Sequence, residues 1–245
     1  MTFPNPEEMA QILQEASLGT WALPDRMKIL STFVESMLEA NQTVNLTRLT
    51  TVEEVRIFHL LDSAVAFPIL EALAKGQVPY RVLDLGTGCG FPGAAVAASF
   101  PTWEVTLMDA TAKKVQALAL CAQKSGLEVT TLHGRAEDLG HDPHHREIFD
   151  LVIARAVADL PVLLEYALPL LKVGGYLVDW ITEDQMSSVD KSKIALNILM
   201  GKIVNKKEYS LPGLIRPRWL LVVEKMGKTP IRYPRPAGQP SKHPL

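Results

Sequence analysis

The chain has 245 residues, 47% apolar and 21% charged, values that exclude a disordered, collagen-like or disulfide-stapled chain and, at about 150 residues per domain, fit one full domain with an appendage. Two cysteines, Cys89 and Cys121, are too few for a disulfide framework or a Cys-rich metal site. With no signal-like leader in residues 1–8 and apolar runs that break well short of the ~18 residues of a membrane span, the expectation is a cytoplasmic protein with no membrane partner. The net charge of −2 is uneven, because residues 225–245 hold five of the 25 Lys and Arg and no acid, leaving 20 against 27 elsewhere; affinity for a polyanion must therefore come from local patches.

In chain order, Leu30, Phe33, Val34, Met37 and Leu38 recur at i, i+3, i+4, i+7 and i+8 within residues 26–38, the apolar stripe of an amphipathic helix. A second helical stretch runs from Val52 to about Leu73, with Val55, His59, Asp62, Ala66 and Ile69 on related faces, and Lys75-Gly76 ends it. No strand pattern precedes residue 80. From there, short apolar runs alternate with helix-length segments: 81–85, 104–109, 129–132, 149–153, then 176–181 after a Gly174-Gly175 turn, with two more at 202–209 and 219–224. This βαβ spacing predicts a doubly wound α/β sheet of six or seven mostly parallel strands, with helices on both faces and ligands at the carboxyl ends of the strands. Lys228–Leu245 holds five of the 17 prolines and reads as an extended arm without helix. The expected organisation is a helical cap over 1–78, the sheet domain over 79–226 and a basic Pro-rich arm over 227–245.

The segment Asp84-Leu-Gly86-Thr-Gly88-Cys-Gly90-Phe-Pro-Gly93 follows the first strand and opens a helix, with Pro92 suited to a first helical turn. Gly88, Gly90 and Gly93 satisfy the G-x-G-x-x-G dinucleotide pattern, and Asp109 stands about 20 residues on, where a ribose-binding acid is expected. Asp84 at the strand end disfavours a pyrophosphate and favours a cationic ligand such as S-adenosylmethionine. The D-x-G-x-G loop looks like the first motif of Rossmann-like methyltransferases. Asp109 also suits a helix cap for the segment from Thr111, and Glu137 stands where such enzymes read the adenine amine or, alternatively, is an exposed loop acid.

Further stretches carry a more particular resemblance: Asn45-Leu-Thr47, His59-Leu-Leu-Asp62-Ser63, Lys113-Lys114, Gly134-Arg-Ala-Glu137, Ala154-Arg155-Ala156 and the tail from Tyr233 to Lys242. The chain resembles the glucose-inhibited division protein B family of 16S ribosomal RNA guanine-N7 methyltransferases over residues 45–242. The resemblance implies a class I methyltransferase fold with a mostly parallel seven-stranded sheet, methyl transfer from S-adenosylmethionine to a guanine N7, and 16S RNA or the small subunit as partner, with no obligate protein partner. It carries the family's cofactor contacts onto Gly86, Phe91, Ala136, Glu137 and Arg155, beside the Asp84, Gly88, Gly90 and Asp109 of the loop reading. Two positions depart from the family pattern, Phe58 before His59 and Ile181 after the fifth strand, where a basic residue is common.

Guanine N7 carries a lone pair and no proton, so no general base is required; Arg155, His59 and Asp62 are positioning candidates, with His59 and Asp62 on one helix face. Arg155 would fork onto the methionyl carboxylate or a substrate phosphate. Cys89 has no sequence-neighbouring His and reads as a small loop residue. His141, His144 and His145 read as a solvated loop, and no metal is expected. RNA contacts are expected from Lys225, Lys228, Arg232, Arg235 and Lys242 with Arg218, and also Lys202, Lys206, Lys207 and Arg216; five tail charges on phosphates would give a salt slope of about −3.5. The alternatives are an NAD-dependent oxidoreductase on the same glycine loop and a noncatalytic RNA-binding assembly factor.

Overall fold

A computed structural model describes residues 4–245. Helices α1 (Pro6–Glu15) and α2 (Pro24–Val44) are followed by a helical run made of α3 (Val52–Glu54), a π-helical segment (Val55–Leu61), α4 (Asp62–Ala64) and α5 (Phe67–Ala74). Then come β1 (Arg81–Leu85), α6 (Gly93–Ser99), β2 (Glu104–Asp109), α7 (Ala112–Ser125), β3 (Thr130–His133), α8 (Ala136–Leu139) and β4 (Phe149–Arg155). The chain continues through α9 (Leu160–Ala167), β5 (Leu171–Thr182), α10 (Met186–Lys191), α11 (Lys193–Leu199), β6 (Gly201–Tyr209), β7 (Arg218–Lys225) and α12 (Gln239–Lys242). All seven expected strands form, in one sheet of order β3-β2-β1-β4-β5-β7-β6. β1, β4 and β5 run parallel, as do β2 and β3, while β7 is antiparallel to both β5 and β6. Gly174-Gly175 is not a turn ahead of the fifth strand but lies inside β5, where the register jumps from Phe149↔Leu171 to Leu151↔Tyr176. The extra residues bulge out, and a Cβ on Gly175 would meet the Asp150 carbonyl oxygen at 2.9 Å, so only glycine fits the bulge.

Contacts cluster into two compact units: residues up to Tyr80 with Thr87–His133, and Arg81–Gly86 with Gly134–Leu245. In the first, α2 packs on α6 and α7 and sinks its whole stripe: Leu30, Phe33, Val34 and Met37 are fully buried and Leu38 nearly so. At about 1.5–3 kcal/mol for each large apolar side chain removed from water, this burial outweighs any local propensity. Rings pack in series from Trp21 to Phe67, Phe100, Trp103 and Tyr80, at centroid separations of 6.1, 5.4, 4.1 and 5.0 Å.

The run Val52–Ala74 corrects the expectation that no segment reaches span length, since its 23 residues are long and apolar enough to cross a membrane. Its most apolar window is 61% buried within the fold, and its polar His59, Asp62 and Ser63 are buried as well. Apolar side chains here line a protein core.

The second unit carries the other correction, at the C-terminus. Residues after β7 do not form an extended arm. They turn back as a strap in which Tyr233, Pro234 and Pro240 are buried, and they end in the short helix α12. Arg146 Nη2 donates to the Thr229 carbonyl (2.8 Å) and its Nη1 to that of Tyr233 (2.9 Å), while His141 Nε2 donates to the Pro234 carbonyl (2.6 Å). His141 is therefore a structural donor, not part of a wholly solvated loop. Arg235 grips the fully buried Glu165 through its backbone N–H (2.7 Å), Nε (2.9 Å) and Nη2 (2.6 Å).

Candidate functional site

In the first unit the glycine loop leaves β1 and continues from Thr87. Gly88 and Gly90 both have positive φ, +60° and +97°. A Cβ at Gly90 would sit 2.8 Å from Phe33 Cζ, so the loop backbone lies directly on α2 and a side chain there has neither the conformation nor the room. Thr87 N–H donates to the Met108 carbonyl (2.8 Å) and Gly90 N–H to that of Thr87 (2.9 Å). Asp109 is 8% exposed at the end of β2; the N-cap of α7 is Thr111, without a side-chain cap bond, so Asp109 is not the helix cap expected of it and instead closes the turn that leads into α7. Its Oδ1 accepts from Thr111 N–H (2.8 Å) at the start of α7, and its Oδ2 accepts from Gly88 N–H (3.1 Å). A carboxylate has about four acceptor sites, so two backbone donors leave capacity for ribose hydroxyls.

His59 reaches the same loop from the π-helical segment. Its ring stacks on Phe91 at 5.2 Å and 19°, and its Nε2 lies 3.2 Å from Thr47 Oγ1. Asp62 is buried as well, at the end of the π turn that its N–H closes by donating to the Ile57 carbonyl. Cys89 does meet a histidine, which sequence adjacency missed: its Sγ is 3.8 and 3.9 Å from His59 Nε2 and Nδ1. A sulfur equidistant from both nitrogens lies along neither lone pair, which is packing geometry and not that of an activated nucleophile.

In the second unit Asp84 is buried on β1, in register with Ile153. A Cβ on Gly86 (φ +71°) would come 2.9 Å from Val157 Cγ2 in the exit from β4, so the two strand exits pack against each other. Arg155 is the half-buried last residue of β4, in register with Trp180, and Ala156 after it is left-handed at φ +58°. Ala136 and Glu137 open α8, both buried. Glu137 is no exposed loop acid: its Oε1 accepts from Gly238 N–H (2.9 Å) and Arg135 Nη2 (3.2 Å). Burial pushes its carboxyl up, but the hydrogen bonds from Gly238 and Arg135 with the Arg135 charge hold it below the usual carboxylate range.

Of the buried acids that the sequence did not single out, Asp150, Glu165 and Asp179, the last stands apart. Asp179 on β5, in register with Ala154 and Leu221, is 3% exposed, and its Oδ2 has no hydrogen-bond partner among the described residues. Burial alone pushes its carboxyl up to about 8. Its signal was an acid inside the apolar run Tyr176–Ile181. Ile181, where the family pattern has a basic residue, is buried in the sheet opposite Trp219.

Of the expected RNA contacts, Lys225 and Arg235 are corrected. Lys225 is fully buried, its Nζ donating to Glu147 Oε1 (2.8 Å) and the Leu171 carbonyl (2.7 Å). The Arg235 guanidinium is held by Glu165. Both cations compensate buried oxygens and offer nothing to a phosphate. Lys228, Arg232 and Lys242 are exposed and Arg218 is half-buried. On the edge strand β6, Lys202, Lys206 and Lys207 are exposed, and Lys206 Nζ stands 5.8 Å from the centre of the Trp219 ring.

The fold is that of the Rossmann-like methyltransferases, with a glycine loop after the first strand and an acid after the second. Two solved structures share it, the YcgJ protein of Bacillus subtilis (TM-score 0.51, 16% identity, 66% of this chain and 99% of that one) and the [4+2]-cyclase SpnF (TM-score 0.50, 16% identity, 66% and 81%). A cyclase among them illustrates that the fold alone does not assign a reaction. The chain itself belongs to the rRNA small subunit methyltransferase G (GidB) family, whose profile matches residues 26–209. Proteins named ribosomal RNA small subunit methyltransferase G from Alkaliphilus metalliredigens (39% identity, 97% of this chain and 99% of that one), Desulfitobacterium hafniense (40%, 99% and 99%) and Lactobacillus johnsonii (41%, 98% and 100%) are similar to it nearly end to end. This membership lends no support to the oxidoreductase or the noncatalytic alternative.

Proposed function

We propose that this chain transfers a methyl group from S-adenosylmethionine to N7 of a guanine in 16S ribosomal RNA, in the cytoplasm. The observation that carries the reading is the loop Asp84–Gly93, in which Gly86, Gly88 and Gly90 hold positive φ, Gly86 and Gly90 against packed side chains, and Gly88 N–H is pinned by Asp109. The residues fit a nucleoside carrying a cation: in the first unit Gly88, Gly90 and Phe91 are the candidates for close backbone approach and Asp109 for the ribose diol, and in the second Gly86 and Asp84 are the candidates for the cationic end. Ala136 and Glu137 take the adenine end, and Arg155 the methionyl carboxylate or an RNA phosphate.

The cofactor supplies a methyl group already activated on a sulfonium. The acceptor nitrogen holds a free lone pair, so the protein's task is to hold N7 in line at about 3–3.5 Å and exclude water, a contribution of several kcal/mol from proximity and orientation. The exit from β4, Arg155-Ala-Val-Ala-Asp159, lacks the Pro-Pro-aromatic element that suits exocyclic amines. His59 stacked on Phe91 is placed to position the loop, not to move a proton.

The RNA grip moves from the tail's buried cations to Lys228, Arg232, Lys242 and Arg218, joined by Lys202, Lys206, Lys207 and Arg216. Arg216 pairs with the exposed Glu183 (3.5 Å) and Asp184 (3.1 Å). Such exposed pairs contribute at most about 1 kcal/mol and yield readily to a phosphate. The reading is tested with labelled S-adenosylmethionine and small-subunit RNA from a strain lacking the modification, followed by nucleoside analysis. Label in 7-methylguanosine that disappears in Asp84→Ala or Gly86→Val is the expected result. Label in another nucleoside would overturn the N7 assignment, and label unaffected by either variant would overturn the pocket.

A further inference from the structure

We infer that the C-terminal strap is a working part of the cofactor site: by holding Glu137 it sets the protein's preference for adenine over a 6-oxo base. The inference rests on the proposed placement of the adenine at Ala136 and Glu137.

Glu137 belongs to a four-residue helix, too short to hold a side chain by its own stability. Its carboxylate is directed by Gly238 N–H and Arg135 Nη2 on Oε1 together with its own backbone N–H, and one of these, Gly238 N–H at 2.9 Å, comes from a residue 101 positions away on the strap. Arg135 has a half-exposed side chain and binds at 3.2 Å. A carboxylate has about four acceptor sites, so with two donors on Oε1 it keeps capacity to accept from an amino group. A 6-amino group donates to a fixed carboxylate, whereas a 6-oxo group sets oxygen against oxygen. Discrimination of this kind depends on an acceptor that cannot turn away.

The strap is built to deliver Gly238. Arg235 is clamped on Glu165 three residues before it, His141 and Arg146 hold the carbonyls of Pro234, Tyr233 and Thr229, and Ser241 hydrogen-bonds Tyr166 on α9 three residues after it. Pro234 seats on Gly140, where a Cβ would come within 2.7 Å of the ring, so α8 carries strap contacts at both its ends. Gly238 itself has φ +81° and nothing within 4 Å of an added Cβ. An alanine there disturbs the backbone turn without a clash, while the N–H is retained.

The experiment compares binding of S-adenosylhomocysteine and its 6-oxo counterpart, S-inosylhomocysteine, by calorimetry. It uses the full chain, the G238A variant and a chain ending at Arg235, which keeps the Glu165 clamp; melting of each unliganded protein reports folding. The full chain is expected to prefer the adenosyl ligand at least tenfold, G238A to lose several-fold of that preference, and the shortened chain to fall below threefold. A shortened, folded chain that keeps the full preference would overturn the inference, as would equal weakening of both ligands. If the shortened chain does not fold, an undiminished preference in G238A is decisive against it. A full chain indifferent to the 6-position would overturn the placement of adenine at Glu137, and this inference with it.

Discussion

The two ends of the chain are fastened by opposite means. Near the N-terminus, α2 is held by apolar burial, with Leu30, Phe33, Val34 and Met37 at 0% exposure, while its ion pairs, Arg26 with Glu128 (3.7 Å) and Glu39 with Lys124 (3.5 Å), are long and solvent-accessible. At the C-terminus the strap is held by charges and carbonyls: Arg235 on Glu165, Arg146 on two strap carbonyls, and Gly238 on Glu137. The first kind of attachment is redundant and tolerates small changes. The second is specific, because each buried oxygen or cation depends on a few named partners.

The largest effects should come from cutting each anchor. Phe33→Ala and Arg235→Ala are each expected to cost about 3–5 kcal/mol in urea unfolding, the first by opening a cavity and the second by leaving Glu165 buried and unpaired. They should differ in rescue. Replacing Glu165 by Leu together with Arg235 by Met should restore most of the stability, since an apolar pair needs no compensation. A rescue no better than the single variants would show that the clamp is not the strap's main hold.

pH separates two kinds of buried acid. Glu137 and Glu147 are held below the ordinary carboxylate range, Glu147 because the Lys225 hydrogen bond and charge outweigh its burial. Their contribution is present above the unfolded value of about 4.3 and is lost as pH falls through their lowered values. Asp179 has the opposite sign. Its folded value of about 8 lies above the unfolded one, so the folded state retains a proton that the unfolded state has lost, and stability declines as pH rises from about 4 to 8. Asp179→Asn should flatten that decline, which approaches roughly 1 kcal/mol per pH unit. Unchanged slopes in unfolding measured from pH 5 to 8 would show that the carboxyl is not protonated.

A Cβ at Gly90 would press on Phe33 of α2 and Leu118 of α7 and push the loop away from them, so Gly90→Ala should weaken cofactor binding at least tenfold while costing about 1–3 kcal/mol of stability by overpacking. Calorimetry and urea unfolding measure the two separately. The smallest structural effect belongs to the exposed strap cations. Lys228, Arg232 and Lys242 changed together to Ala should shift stability by no more than about 0.5 kcal/mol each yet reduce the salt slope of RNA binding by about 2. The same change at Lys225 would unfold more than it would unbind.

The sequence by itself determined the parts whose signals are local. The 3.6-residue stripe of α2, the seven strands and the Asp84–Gly93 loop follow from periodicity and from glycine's freedom at positive φ, and neither needs to know what lies opposite. Tertiary structure decided the partners. Lys225 and Lys228 look alike in the sequence, but one ends a buried strand beside Glu147 and the other stands in solvent. Glu137 and Gly238, 101 residues apart, share a hydrogen bond, and Cys89 meets a histidine 30 residues away. Charge and hydrogen-bonding capacity carry no period, so whether a polar side chain serves the solvent, a ligand or a distant carbonyl depends on the burial and neighbours that only the folded chain supplies.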